Sequence, residues 1–165
     1  MTKRTFIALA VSLFAVAALA TGLVCLTQNA HDNFEKTVTI DRNGTADETF
    51  SVAELVLNPS ESKEEKVHLA CEVEGEFAVS MDFVEKEDGG LKPFVDVTVS
   101  VDGREVYSGT LSALLTDKQV ISFTSNITAK QKTTIVVRYT MPEAVGNEAK
   151  NTSSLFDTHI KIQKI

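Results

Sequence analysis

From residue 34 onward, apolar and polar side chains alternate with a period of two through run after run of this chain. Val67, Leu69, Cys71 and Val73 alternate with His68, Ala70, Glu72 and Glu74, and Phe77, Val79, Met81 and Phe83 with Ala78, Ser80 and Asp82. Val95, Val97, Val99 and Val101 interleave with Asp96, Thr98, Ser100 and Asp102. Ile135, Val137, Tyr139 and Met141 face away from Val136, Arg138 and Thr140, and Phe156, Thr158, Ile160 and Ile162 from Asp157, His159, Lys161 and Gln163. Successive side chains point to opposite faces only in a strand, so each run builds a strand with one dry face and one wet face. Such strands need a second layer over the dry face, which predicts two packed antiparallel sheets.

The punctuation agrees. Asp102-Gly103 suits a two-residue hairpin turn, because both positions tolerate positive φ. Asp88-Gly89-Gly90 interrupts the chain between two apolar runs, and Asn58-Pro59-Ser60-Glu61 ends a strand carrying Phe50, Val52, Leu55 and Leu57. Eight or nine strands follow, with a short helical turn at Ser112 to Thr116. The fold class expected is all-β: an antiparallel β-sandwich, jelly-roll-like or immunoglobulin-like, over residues 31–165 as one domain.

Residues 1–30 are of another kind. Lys3 and Arg4 precede an uncharged run from Phe6 to Leu26, which suits either a secretory signal peptide or a membrane anchor helix. Ala18-Leu19-Ala20 places small residues where a signal peptidase reads, so cleavage falls after Ala20, or later after Ala30. A lipoprotein-type cut at Cys25 is disfavoured by Val24, which is bulky where such sites carry a small residue. Either way the rest of the chain works outside the cytoplasm. With Lys3 and Arg4 set aside it carries 14 basic and 23 acidic residues, or −9. That charge disfavours nucleic acid and anionic lipid as partners, and leaves membrane contact to the N-terminal segment alone. Cys25 and Cys71 are the two cysteines, so the exported part has no internal disulfide to form. Such a chain fits a bacterial exported protein, where the sequons at Asn43, Asn126 and Asn151 carry no meaning.

Motifs of chemistry are missing. His31, His68 and His159 have no partner at a zinc spacing, and the last two are expected on polar strand faces as surface histidines. Cys71 alternates in phase with Val67 and Leu69, which predicts a small buried side chain rather than a nucleophile. Glu61, Glu64 and Glu65, with Glu72, Glu74 and Glu76, and with Glu85, Glu87 and Asp88, form an acidic rim without an Asp-x-Asp-x-Asp calcium loop. Phosphate loops and serine-nucleophile elbows are absent. No catalytic residue, metal ligand or cofactor is therefore expected, and the chain is not expected to be an enzyme.

The C-terminal half carries a series of short motifs: Tyr107-Ser108-Gly109-Thr110-Leu111, a Leu-Leu pair, Ile127-Thr128-Ala129-Lys130, then Thr134-Ile135-Val136-Val137-Arg138-Tyr139. Met141-Pro142-Glu143, Gly146-Asn147, Phe156-Asp157 and Gln163 follow in order. This succession resembles the TasA/camelysin family of exported β-sandwich proteins of Gram-positive bacteria, over roughly Val52 to Gln163. Ser60 stands where that family tends to carry the glycine of a Pro-Gly-Asp turn. The resemblance implies a biofilm-matrix or cell-surface protein, with itself or other matrix proteins as partners. One branch of the family has been labelled metallopeptidase, but no metal-binding signature accompanies the label here. Phe34, Val38 and Ile40 lie just after the leader on a strand suited to donation into a neighbour's sheet edge. The bland alternative makes it the first strand of its own sheet. A second functional reading is an adhesin-like binding module. No Trp and two tyrosines disfavour a sugar platform, and no Leu-Pro-x-Thr-Gly sorting signal stands at the C-terminal end.

Overall fold

The computed structural model describes residues 34–51, 54–129 and 132–165. Their nine strands are β1 (Phe34–Ile40), β2 (Thr45–Ser51), β3 (Ser62–Cys71), β4 (Gly75–Gly89), β5 (Asp96–Val101), β6 (Arg104–Thr110), β7 (Ile121–Ile127), β8 (Thr133–Thr140) and β9 (Ser153–Lys164). Five strands form one sheet in the order β1-β3-β8-β5-β6, and four form the other in the order β2-β9-β4-β7. The pairing is nested. β5 pairs with β6, β4 with β7, β3 with β8 and β2 with β9, all antiparallel.

The two sheets share one core, built from the alternation. Val67 and Leu69 of β3, Val97 and Val99 of β5, and Ile135 and Val137 of β8 meet Phe77, Val79 and Met81 of β4 and Phe156, Ile160 and Ile162 of β9, all buried. Across the layers the Tyr139 and Phe156 rings stand edge to face with centroids 5.7 Å apart, and within the four-stranded sheet Phe83 meets Phe156 at 6.1 Å. That geometry matches the positive edge of one ring to the negative face of the other. Phe34–Ile165 forms one compact unit.

The turns explain themselves locally. Asp102 (φ 50°) and Gly103 (φ 82°) close the β5–β6 hairpin with the two positive φ values that match strand twist. At Asn58–Glu61 the Glu61 N–H donates to the Asn58 carbonyl at 3.0 Å, and Ser60 is forced to φ 70°. After β6 the chain winds into α1 (Leu111–Leu115), capped by the Thr110 hydroxyl, which accepts from the Ala113 N–H at 3.2 Å. Leu111, Leu114 and Leu115 plug the core there.

Three expectations change. Not every pair is antiparallel: β1 runs parallel to β3 from Phe34 beside Glu65 to Ile40 beside Cys71. The chain passes from the five-stranded sheet at β1 to the other at β2 and back at β3, and two reversals restore the original direction. The strand expected to run to Asn58 is paired with β9 from Thr45 to Ser51 among the described residues, and further on Leu55 makes an isolated bridge to Ser154 and Leu57 is buried. Val52 lies outside the described residues. The Asp88-Gly89-Gly90 break falls later than expected, because β4 stays paired with β9 through Gly89 by absorbing a bulge between Glu85 and Glu87.

Candidate assembly edge and the polar clusters around it

Phe34, Val38 and Ile40 lie on β1, an outer strand of the five-stranded sheet. Val38 and Ile40 are fully buried in the core, and Phe34 is half-buried beneath the Lys36 ammonium, 4.7 Å from its ring centroid. Within this chain β1 is thus a strand of its own sheet. Only the turn Asp41–Gly44 joins it to β2. The Asp41 carboxylate accepts from the N–H groups of Asn43 at 2.9 Å and Thr45 at 2.8 Å. These bonds, those from Thr45 first, hold its pKa below the usual carboxylate range. Gly44 (φ 76°) completes the turn, and a Cβ there would lie 2.6 Å from that of Lys164. Ala20 and Ala30, the two candidate cleavage sites, lie outside the described residues.

A polar cluster clasps β1 from outside. His68 of β3 bonds through Nε2 to the Glu35 carboxylate of β1, and through Nδ1 to the Thr134 hydroxyl of β8 at 3.0 Å. The His68 bond, more than its charge, keeps Glu35 below the usual carboxylate range. His68 was expected as a surface histidine. It does lie on the outward face of its strand, yet it is buried, because this bridge of three strands covers the ring.

Inside the core, beside the start of β1, sits the residue that sequence reasoning missed. Glu65 was assigned to the acidic rim, but it is 7% exposed and accepts a hydrogen bond from the fully buried Tyr139 hydroxyl at 3.1 Å. Burial pushes its pKa up to about 7, against a small opposing pull from the tyrosine bond. Tyr139 itself is raised well above the ordinary phenol, first by burial and then by Glu65. Extending the Val67, Leu69 alternation back by two positions puts Glu65 on the inward face, so the signal was there.

On the four-stranded sheet His159 of β9 lies between two carboxylates, Asp82 of β4 at 2.9 Å from Nδ1 and Asp47 of β2 at 2.6 Å from Nε2. Both bonds require the doubly protonated ring, and the Asp47 bond above all raises the histidine's pKa. The two ring nitrogens point apart, so the trio staples strands rather than converging on a point. Among the described residues no group of three or more His, Cys, Asp or Glu is placed to hold a metal ion. Cys71, expected to be buried, is only half-buried at the strand end, and burial followed by Glu74 raises its thiol.

No family model and no curated protein matches this chain. Solved structures give distant likenesses. A delta-endotoxin, Cry8Ea1 of Bacillus thuringiensis, is 16% identical at a TM-score of 0.34, over 73% of this chain and 20% of that one. PorU of Porphyromonas gingivalis is 12% identical at 0.35, over 73% and 13%. The periplasmic g-type lysozyme inhibitor PliG of Aeromonas hydrophila is 10% identical at 0.33, over 79% and 98%. The chain thus spans a fifth or less of the first two.

Proposed function

We propose that this chain is an exported structural protein of a Gram-positive-type cell surface or biofilm matrix, of the TasA/camelysin kind, that assembles by exchanging β1 between copies. The observation that carries this reading is the position of β1 outside the nested pairs. β2 to β9 pair among themselves, two by two, across both sheets. That nesting is the connectivity of the jelly-roll form of the β-sandwich, which is complete in eight strands. β1 is the ninth. It adds in parallel to the free edge of β3 and is tethered by the four residues Asp41 to Gly44.

The core needs Val38 and Ile40 whichever copy supplies them. A strand that opens at Asp41 and enters the neighbouring copy beside β3 keeps the same ladder and the same buried contacts. Because each copy then gives at one place and receives at another, the contact is head-to-tail and need not close, which yields a filament. Partners in this reading are further copies or other surface proteins, with the membrane touched only through residues 1–30.

Residues 31–165 test it, followed for days by light scattering and electron microscopy. Filaments or large oligomers are expected, and an excess of a synthetic peptide covering residues 31–42 is expected to cap them by filling the site beside β3. A chain that stays monomeric, or one whose growth ignores the peptide, overturns the reading.

A further inference from the structure

We propose that β7 is a self-association edge, where a second copy of this chain adds its own β7 antiparallel and joins two four-stranded sheets into one of eight. The inference does not rest on β1 exchange. Each sheet ends in two outer strands, and open edges invite pairing unless charge, bulge or proline blunts them. Three of the four are blunted. β1 carries Glu35 and Lys36, β2 carries Asp47 and Glu48, and β6 carries Arg104 and Glu105 together with a register shift opposite Val99 and Ser100. β7 has none of these. Its seven residues, Ile121-Ser-Phe-Thr-Ser-Asn-Ile127, include no charge and no proline, and its register against β4 is unbroken. Among the described residues it pairs with β4 alone.

The strand is also nearly self-complementary. Turned about a twofold axis through Thr124, it sets Ile121 against Ile127, Ser122 against Asn126, Phe123 against Ser125, and Thr124 against itself. Threonine pairs and β-branched pairs are favourable across strands, and no like charges meet. Ser122, Thr124 and Asn126 point outward and are exposed, so they are free to make these pairs. Val120, just before the strand, is 53% exposed, and the same register covers it with Thr128 of the second copy. For a chain whose exported part is strongly acidic, a neutral edge is where two copies approach with the least repulsion.

The register predicts its own test, on residues 31–165, whose core is closed within the compact unit. With β1 exchange capped by an excess of the 31–42 peptide, the wild-type chain is expected to show a concentration-dependent doubling of mass by light scattering. Ser122→Lys with Asn126→Lys places like charges opposite each other twice, and is expected to weaken the dimer by at least about tenfold. Ser122→Lys with Asn126→Glu faces opposite charges and is expected to keep it. A chain with glutamate at both positions is expected to be monomeric alone and to pair with the double-lysine chain when mixed. Circular dichroism checks that each variant folds, and the matched lysine–glutamate variant separates pairing from any cost to the monomer. An excess of the 31–42 peptide leaves this dimer intact, which distinguishes it from β1 exchange. A capped wild-type chain without the doubling, or three variants that associate alike, overturns the proposal.

Discussion

Replacing Glu65 by Gln is expected to change how stability depends on pH, in one direction and over one window. In the unfolded chain the carboxyl titrates near 4.5, whereas in the core it does so at about 7. Between those values the folded state holds a proton that the unfolded state has lost, so stability falls as pH rises. The displacement corresponds to about 3 kcal/mol at 1.36 kcal/mol per unit, an appreciable part of what holds a domain this size together. Gln keeps the shape and can still accept from the Tyr139 hydroxyl, but it cannot ionise. Urea unfolding of Glu65→Gln and wild type, followed by circular dichroism from pH 4 to 8, reads the difference directly. Wild type is expected to lose about 3 kcal/mol relative to the variant between pH 4.5 and 7.5, with any constant offset set by the buried amide. Curves that run parallel across that window refute the buried, protonated carboxyl. So does a wild type that gains on the variant as pH rises.

Two further predictions use the same assay. Ser60→Gly is expected to stabilise the chain by about 1 kcal/mol, because it relieves a left-handed backbone that a side chain resists, and an unchanged midpoint refutes the strained turn. His159→Gln removes a group whose folded pKa is raised by Asp47 and Asp82. Its stabilisation is fully present below the ordinary histidine value and is lost as pH rises through the raised one, so the deficit of the variant is expected to be larger at pH 6 than at pH 9.

The layers of this fold are written in its alternation because a strand covered on one side leaves little choice about which residues turn inward. Phe156, Ile160 and Ile162 are buried on the face where the period puts them, with Thr158 between. The Asp102-Gly103 hairpin was equally legible, since its backbone demands residues that accept positive φ. Periodicity says nothing of which strand lies beside which, so the parallel course of β1 could not be read from it. Nor could the length of β4, where a bulge lets a glycine-rich stretch remain in the ladder. Glu65 was misplaced for a different reason. Its charge argues for the surface and its phase for the core, and phase wins because a carboxyl can stay inside by keeping its proton and accepting from Tyr139. The clasp of Glu35, His68 and Thr134 draws on three strands far apart in sequence, and nothing local announces it.

The nesting of the strands sets an order in time. β5 and β6 meet across two residues, whereas β2 waits for β9, with Asp47 and His159 lying 112 positions apart. Pairings that distant close slowly, because the intervening chain must be drawn in before they form. β9 is moreover the strand between β2 and β4, so the four-stranded sheet has a gap at its centre until Ser153–Lys164 arrives. A chain that emerges N-terminus first therefore has β1 paired once β3 follows, but keeps β2 without its partner until β9 arrives. β2 stays open until then, and β9 acts as the latch of the four-stranded sheet.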